Sequence, residues 1–112
     1  MQIRPREILH HTTSSGNDPY QRWYMRLRDQ RAQIAISNRI SRLRTGNFGD
    51  FKRLNKDLYE LRIHHGPGYR VYFGIFQHDI VILLCGGTKG TQQRDIDRAQ
   101  NYWDDFLKQM RK

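Results

Sequence analysis

The sequence predicts an α+β domain: an antiparallel sheet with an N-terminal helical hairpin and a C-terminal helix, in the order β-α-α-β-β-β-α. Three observations predict it. Apolar residues recur at helical spacing over residues 20–44, switch to a period of two after Asp57, and return to helical spacing near the C-terminus. A length of 112 residues fits one domain spanning 1–112. No repeat, linker or low-complexity tract divides the chain.

Each element has its own signal. Ile3 to Thr12 mixes apolar and polar residues and reads as a first strand. Thr13 to Pro19 is a polar break, in which Asp18 can cap a helix that has Pro19 at its first position. Tyr20, Trp23, Tyr24 and Leu27 form one helical stripe. A second helix runs from about Asp29 to Arg44, with Ala32, Ile36, Ile40 and Leu43 inside and Gly46 ending it. Leu58 to His65 is a strand, His65-Gly66-Pro67-Gly68 a turn and Tyr69 to Phe76 a second strand. After the turn Gln77-His78-Asp79, Ile80 to Cys85 is apolar on both faces and reads as a central strand. Gly86 to Gly90 is a glycine-rich exit. A last helix follows, with Thr91 as N-cap and Ile96, Ala99, Trp103, Phe106 or Leu107, and Met110 on its inner face.

The charge is uneven. The chain carries +9, and residues 22–56 hold ten basic side chains against two acidic ones, net +8. Most of these are arginines, which suit bidentate phosphate contact. A field of this kind attracts polyanions, so nucleic acid or a nucleoprotein such as the ribosome is the expected partner, an acidic protein being compatible with it. Arg39, Arg42, Arg44, Lys52 and Arg53 are the candidate RNA-gripping residues. One cysteine, Cys85, excludes an internal disulfide and a multi-cysteine zinc site, and a reducing cytoplasm is the natural reading. No apolar run is long enough for a signal peptide or a membrane span.

The chemistry concentrates on the middle strands. Alternation puts Tyr59, Leu61 and Ile63 on one face and Glu60, Arg62 and His64 on the other. Two registers keep the apolar sets together: Arg62 opposite Arg70, or Arg62 opposite Tyr72 with His64 opposite Arg70. Either way Arg62, His64, Arg70 and Tyr72 cluster on the non-core face. Like charges placed opposite each other destabilise a sheet, so an anionic ligand would explain the pair. The bland account is that Glu60 neutralises both arginines, or that their stems snorkel. Lys89, among small residues before a helix N-terminus, could add to a phosphate site, though the spacing is not that of a P-loop. No HExxH or metal-spaced Cys/His set exists, and no carboxylate pair suggests Mg²⁺. A nuclease built on these residues is expected to need no metal and no cofactor.

The segments Gly46-Asn47-Phe48-Gly49-Asp50, Leu58-Tyr59-Glu60-Leu61-Arg62-Ile63, Gly66-Pro67-Gly68-Tyr69-Arg70-Val71-Tyr72-Phe73 and Leu83-Leu84-Cys85-Gly86-Gly87-Thr88-Lys89, with Gln92, Arg94, Asp95 and Ile96, resemble the addiction-module killer proteins. These are a branch of the RelE/ParE toxins close to HigB and phage Gp49-like proteins, and the resemblance runs from about Tyr20 to the C-terminus. It implies a small RelE-like fold, a toxin of a type II toxin–antitoxin system, and a cognate antitoxin of helix-turn-helix type. It also implies that operator DNA is bound only through the toxin–antitoxin complex. RelE-type members cut mRNA on the ribosome; ParE-type members share the fold but inhibit DNA gyrase.

Under the first alternative Arg62, Arg70 and Lys89 match the basic residues of the nucleases, and Gln92 is a further candidate RNA-binding residue. The late His or Tyr of some members has no clear match, since this chain continues into a helix with Tyr102 as its only late tyrosine. The implied mechanism is attack of a ribose 2′-OH on its own 3′-phosphate. Arg62 and Arg70 would stabilise the transition state, Lys89 would serve as base, His64 or His65 as acid or base, and Tyr72 would stack on a base or position the phosphate.

Overall fold

In a computed structural model describing residues 4–111, the chain runs β1 (Glu7–His10), α1 (Pro19–Arg26), α2 (Gln30–Arg44), β2 (Phe51–Arg53), β3 (Leu58–Ile63), β4 (Tyr69–Phe76), β5 (Ile80–Thr88), a 3₁₀ turn (Lys89–Thr91) and α3 (Gln92–Met110). Of the stretch expected as the first strand, Ile3 lies outside the described residues. Local chemistry starts both hairpin helices. The Asp18 carboxylate accepts the Gln21 N–H at 3.0 Å, and Pro19 takes the first helical position. Asp29 caps α2 by accepting the N–H groups of Arg31 at 2.9 Å and Ala32 at 3.2 Å. Gly46, at φ +90°, terminates α2, and a side chain there would collide with the backbone of Arg4.

The strands make one five-stranded sheet in the order β1-β5-β4-β3-β2. β2 to β5 pair antiparallel. β1 joins β5 in parallel, Glu7 against Ile80 and His10 against Leu83. The all-antiparallel sheet expected from the sequence is thus a mixed one, because the whole helical hairpin and meander intervene between β1 and its neighbour. β2 is an additional strand, three residues long, too short to display a period of two. β5 continues through Gly86 and Gly87 to Thr88 instead of ending at Cys85. A Cβ on Gly86 would strike the Trp23 indole, and one on Gly87 the Asp95 carboxylate. These glycines let two helices press on a strand; they do not make a loop.

Both faces of the sheet are covered. α1 and α2 bury Tyr59, Leu61, Ile63, Val71, Phe73, Val81 and Leu83. On the opposite face α3 buries Leu58, Tyr72, Ile82, Leu84 and Cys85 beneath Ala99, Trp103 and Phe106. The face expected to lie outside the core is therefore half core. A register shift between Tyr72 and Phe73 turns Leu84 and Cys85 both toward α3. Met110 falls off the buried stripe and is 52 % exposed.

Candidate functional site at the β3–β4 end of the sheet

Of the two registers the sequence allows, the structure adopts Arg62 opposite Arg70, with Glu60 opposite Tyr72. Arg70 in turn pairs with Gly87 of β5. Directly opposed residues share a face, so Glu60, Arg62, Arg70 and Tyr72 all project to the α3 side. α3 crosses mainly over β5 and β4, and Arg62 on β3 stays part-exposed beside it.

Glu60 is the hub of the cluster. Its side chain is 0 % exposed, yet all its partners are donors. Arg62 Nε donates to Oε1 at 3.0 Å, the Tyr72 hydroxyl to Oε2 at 3.1 Å, and Gln92 Nε2 to Oε2 at 2.8 Å. Arg70 Nε lies 3.7 Å from Oε1, an ion pair without a hydrogen bond. Burial by itself raises the Glu60 carboxyl, but the hydrogen bonds from Gln92, Arg62 and Tyr72 outweigh it and hold the group below its ordinary value. The arginine pair expected to face an anion thus already shares a carboxylate, and only one net positive charge remains on the three groups. Arg70 is buried at 7 % exposure, while the Arg62 side chain retains 30 %.

Lys89 does not lie in a glycine loop. It opens the 3₁₀ turn, is exposed, and its backbone N–H donates to Gly68 O at 2.8 Å. A Cβ on Gly68 would touch Lys89 Cβ at 3.6 Å and Arg70 Nη1 at 3.9 Å, so the β3–β4 turn brings Lys89 beside Arg70. His64, also exposed, is hydrogen-bonded to Asp50, whose carboxyl is lowered first by that bond. The Asp50 carbonyl accepts the Arg62 N–H at 3.0 Å, which ties the His64–Asp50 pair to the arginine strand.

Four of the sequence-predicted RNA-binding residues do something else. Tyr72 is fully buried, and its ring packs under α3; burial raises its hydroxyl and no face is open to a base. Gln92 is spent on Glu60. Arg39 is a staple: Nη1 donates to Arg62 O, and Nη2 to Phe48 O at 2.9 Å and Asp50 O at 3.0 Å. Those carbonyls lie where the chain enters β2, and a guanidinium satisfies several at once. Arg53 closes the β2–β3 turn through Asn55 O at 3.1 Å and Lys56 O at 2.7 Å, over the Tyr59 ring. Arg42, Arg44 and Lys52 are exposed as expected, and Lys52, opposite Glu60, faces the same side as Arg62. The alternative account from the sequence, that Glu60 neutralises both arginines, is what the structure adopts; the further bonds of that carboxylate to Tyr72 and Gln92 were not read from the sequence.

Among the described residues no group of three or more His, Cys, Asp or Glu side chains could hold a metal ion, and no helix is long and apolar enough to cross a membrane.

The architecture, a five-stranded mixed sheet with a C-terminal helix, is that of a small RelE-like α+β domain. Residues 25–104 match the family described as phage derived protein Gp49-like, and the chain belongs to that family, which is part of the RelE/HigB-type toxin-like group. The chain is also 50 % identical over 78 residues to an uncharacterized protein of Haemophilus influenzae, an alignment covering 70 % of this chain and 79 % of that protein. At the level of the family this is a toxin of a toxin–antitoxin pair, with an antitoxin as its general partner.

Proposed function

We propose that the chain is a metal-independent mRNA endoribonuclease that acts on the ribosome and is silenced by its antitoxin. The observation that carries this reading is the convergence of Arg62, Arg70 and Lys89, from two strands and a 3₁₀ turn, at one end of the sheet. Arg62 and Lys89 form its accessible surface, and Arg70 adds charge from beneath. Glu60 is a positioning residue: by holding the Arg62 Nε edge it fixes where the other guanidinium nitrogens point before substrate arrives. In the reaction, the ribose 2′-oxygen bonds to phosphorus as the bond from phosphorus to the 5′-oxygen breaks. The 2′-proton passes to a base and a proton reaches the leaving oxygen, leaving a 2′,3′-cyclic phosphate and a 5′-hydroxyl. His64, oriented by Asp50, and Lys89 are the groups available for these two transfers. The exposed Arg42, Arg44 and Lys52 would bind ribosomal RNA.

The Glu60 carboxylate between the arginines is the observation that favours a second reading, a non-nucleolytic inhibitor of DNA gyrase. Primer extension on mRNA from induced cells separates the two. New 5′ ends within codons, absent with Arg62→Ala and reduced at least a hundredfold with Lys89→Ala, are the expected result. Intact transcripts together with double-strand DNA breaks would replace the nuclease by the gyrase inhibitor. Arg62 suits this test better than Arg70, whose burial makes its replacement a stability change as well.

A further inference from the structure

β1 ends at His10 opposite Leu83, so among the described residues the β1 side of β5 carries no strand beyond that point. α1 and α3 flank this free stretch without closing over it, and a cavity of about 210 Å³ remains between them. Gly86 forms its floor, and Trp23 lies over that glycine because no side chain intervenes. Trp23 and Tyr102 supply aromatic walls, and Arg22, Arg26 and Arg98 supply charge. No Asp or Glu lines the cavity. Arg22 donates to the neutral Asn17 side chain at 2.8 Å, and Arg98 hydrogen-bonds the Tyr102 hydroxyl. Three guanidinium groups around one opening repel each other; Asp95, outside the lining, acts on Arg98 alone, and no carboxylate of the lining itself offsets the three.

We propose that this cavity is a nucleotide pocket, taking one unpaired nucleotide of RNA with its base against Trp23 and Tyr102 and its phosphate on Arg22, Arg26 and Arg98. Aromatic faces stack on any base, and arginine forks bind phosphate, which is the usual division of labour in single-strand recognition. The volume is below the roughly 300–1,000 Å³ of sites that enclose a drug-sized ligand, so it admits one base and excludes a duplex. An acidic peptide would be drawn to the same charge but has no planar group for the two aromatic walls. The Trp23 ring is also 6.3 Å from that of Tyr69 on the hairpin face, whose chain neighbour Arg70 projects to the opposite face, so the pocket is separate from the cation cluster. The inference rests on the nucleic-acid reading above, but its readout is separate from cleavage.

The test follows the two indole N–H signals of the purified chain by NMR, Trp23 in the pocket and Trp103 in the core. Adenosine 5′-monophosphate should shift the Trp23 signal saturably and leave Trp103 in place. Arg22→Ala with Arg98→Ala should weaken that binding at least tenfold, and Arg62→Ala should leave it unchanged. Arg26→Gln, at an exposed position, serves if the double variant does not keep the native Trp103 signal, and should weaken binding about threefold to tenfold. A Trp23 signal that does not respond to the nucleotide overturns the pocket. Equal affinity for inorganic phosphate overturns the base site, and tighter binding of a glutamate-rich peptide than of a trinucleotide assigns the cavity to a protein partner. Nucleotide binding at Trp23 in a protein that cuts no mRNA would keep the pocket and remove the nuclease.

Discussion

The two faces of one sheet follow different rules. On the hairpin side, Tyr59, Leu61, Ile63, Val71, Phe73 and Leu83 form an apolar layer in which side-chain packing dominates. On the α3 side, Leu58, Ile82 and Leu84 do the same at one end, but at the other the place of a core side chain is taken by the Glu60 carboxylate with its three hydrogen-bond donors and its ion pair to Arg70. Dispersion and hydrophobic burial are forgiving of small changes, whereas a buried charge demands every partner. The difference teaches that the cationic end of the sheet is specified by a polar network, and the rest by volume.

Truncating Glu60 tests the contrast most severely. Glu60→Ala leaves Arg70 buried without its counter-charge and Tyr72 without its acceptor, and should cost about 3–5 kcal/mol, comparable with the roughly 2–5 kcal/mol of Leu61→Ala on the other face. Glu60→Gln keeps the shape and should recover much of the loss only if size, not charge, matters. Urea denaturation separates these, and equal stability of Glu60→Gln and the parent would dissolve the distinction between the faces. A smaller effect is expected from Tyr72→Phe. It removes one hydrogen bond to a carboxylate, worth about 1.5–3 kcal/mol, while Tyr59→Phe on the apolar face should change stability by less than 1 kcal/mol.

The smallest effect is in pH. Burial lowers His11, which the charge of Asp105, 2.9 Å away, offsets in part. A histidine lowered in the fold stabilises above its ordinary value of 6.5, and that contribution is lost as pH falls from there through its folded value. Glu60, held below 4.5, stabilises above 4.5 and loses its contribution as pH falls through its own lower value. Stability should therefore decline in two stages on acidification, each with a slope no steeper than about 1.4 kcal/mol per pH unit. His11→Phe should erase the first stage and leave the second; a profile that the substitution leaves unchanged would remove His11 as the source of the first stage.

Much of this was legible in the residues. The Asp18-Pro19 cap, the stripe from Tyr20 to Leu27 and the bounds of β4 follow from local chemistry, which acts over a few residues. The register of Arg62 against Arg70 was one of two that parity allowed. What escaped depends on distant neighbours. Phe51–Arg53 is a strand only because β3 lies beside it. Gly86 and Gly87 read as loop by composition, and only Trp23 and Asp95 reveal why they are glycine. Charge counting predicted a gripping surface from Arg39 and Arg53, but unpaired carbonyls near them claimed both guanidinium groups first.

The parallel pairing of β1 with β5 has a consequence for synthesis. Glu7 leaves the ribosome well before its partner Ile80 does, an interval on the order of ten seconds at ~5–20 residues per second. Until then the first strand has no sheet to join, and Gln92, one of the Glu60 donors, comes later still. Such long-range closure is slow to assemble. A nascent chain of this protein therefore cannot close its sheet or complete the Glu60 network until almost all of it has been translated, so the cationic end of the sheet is assembled last.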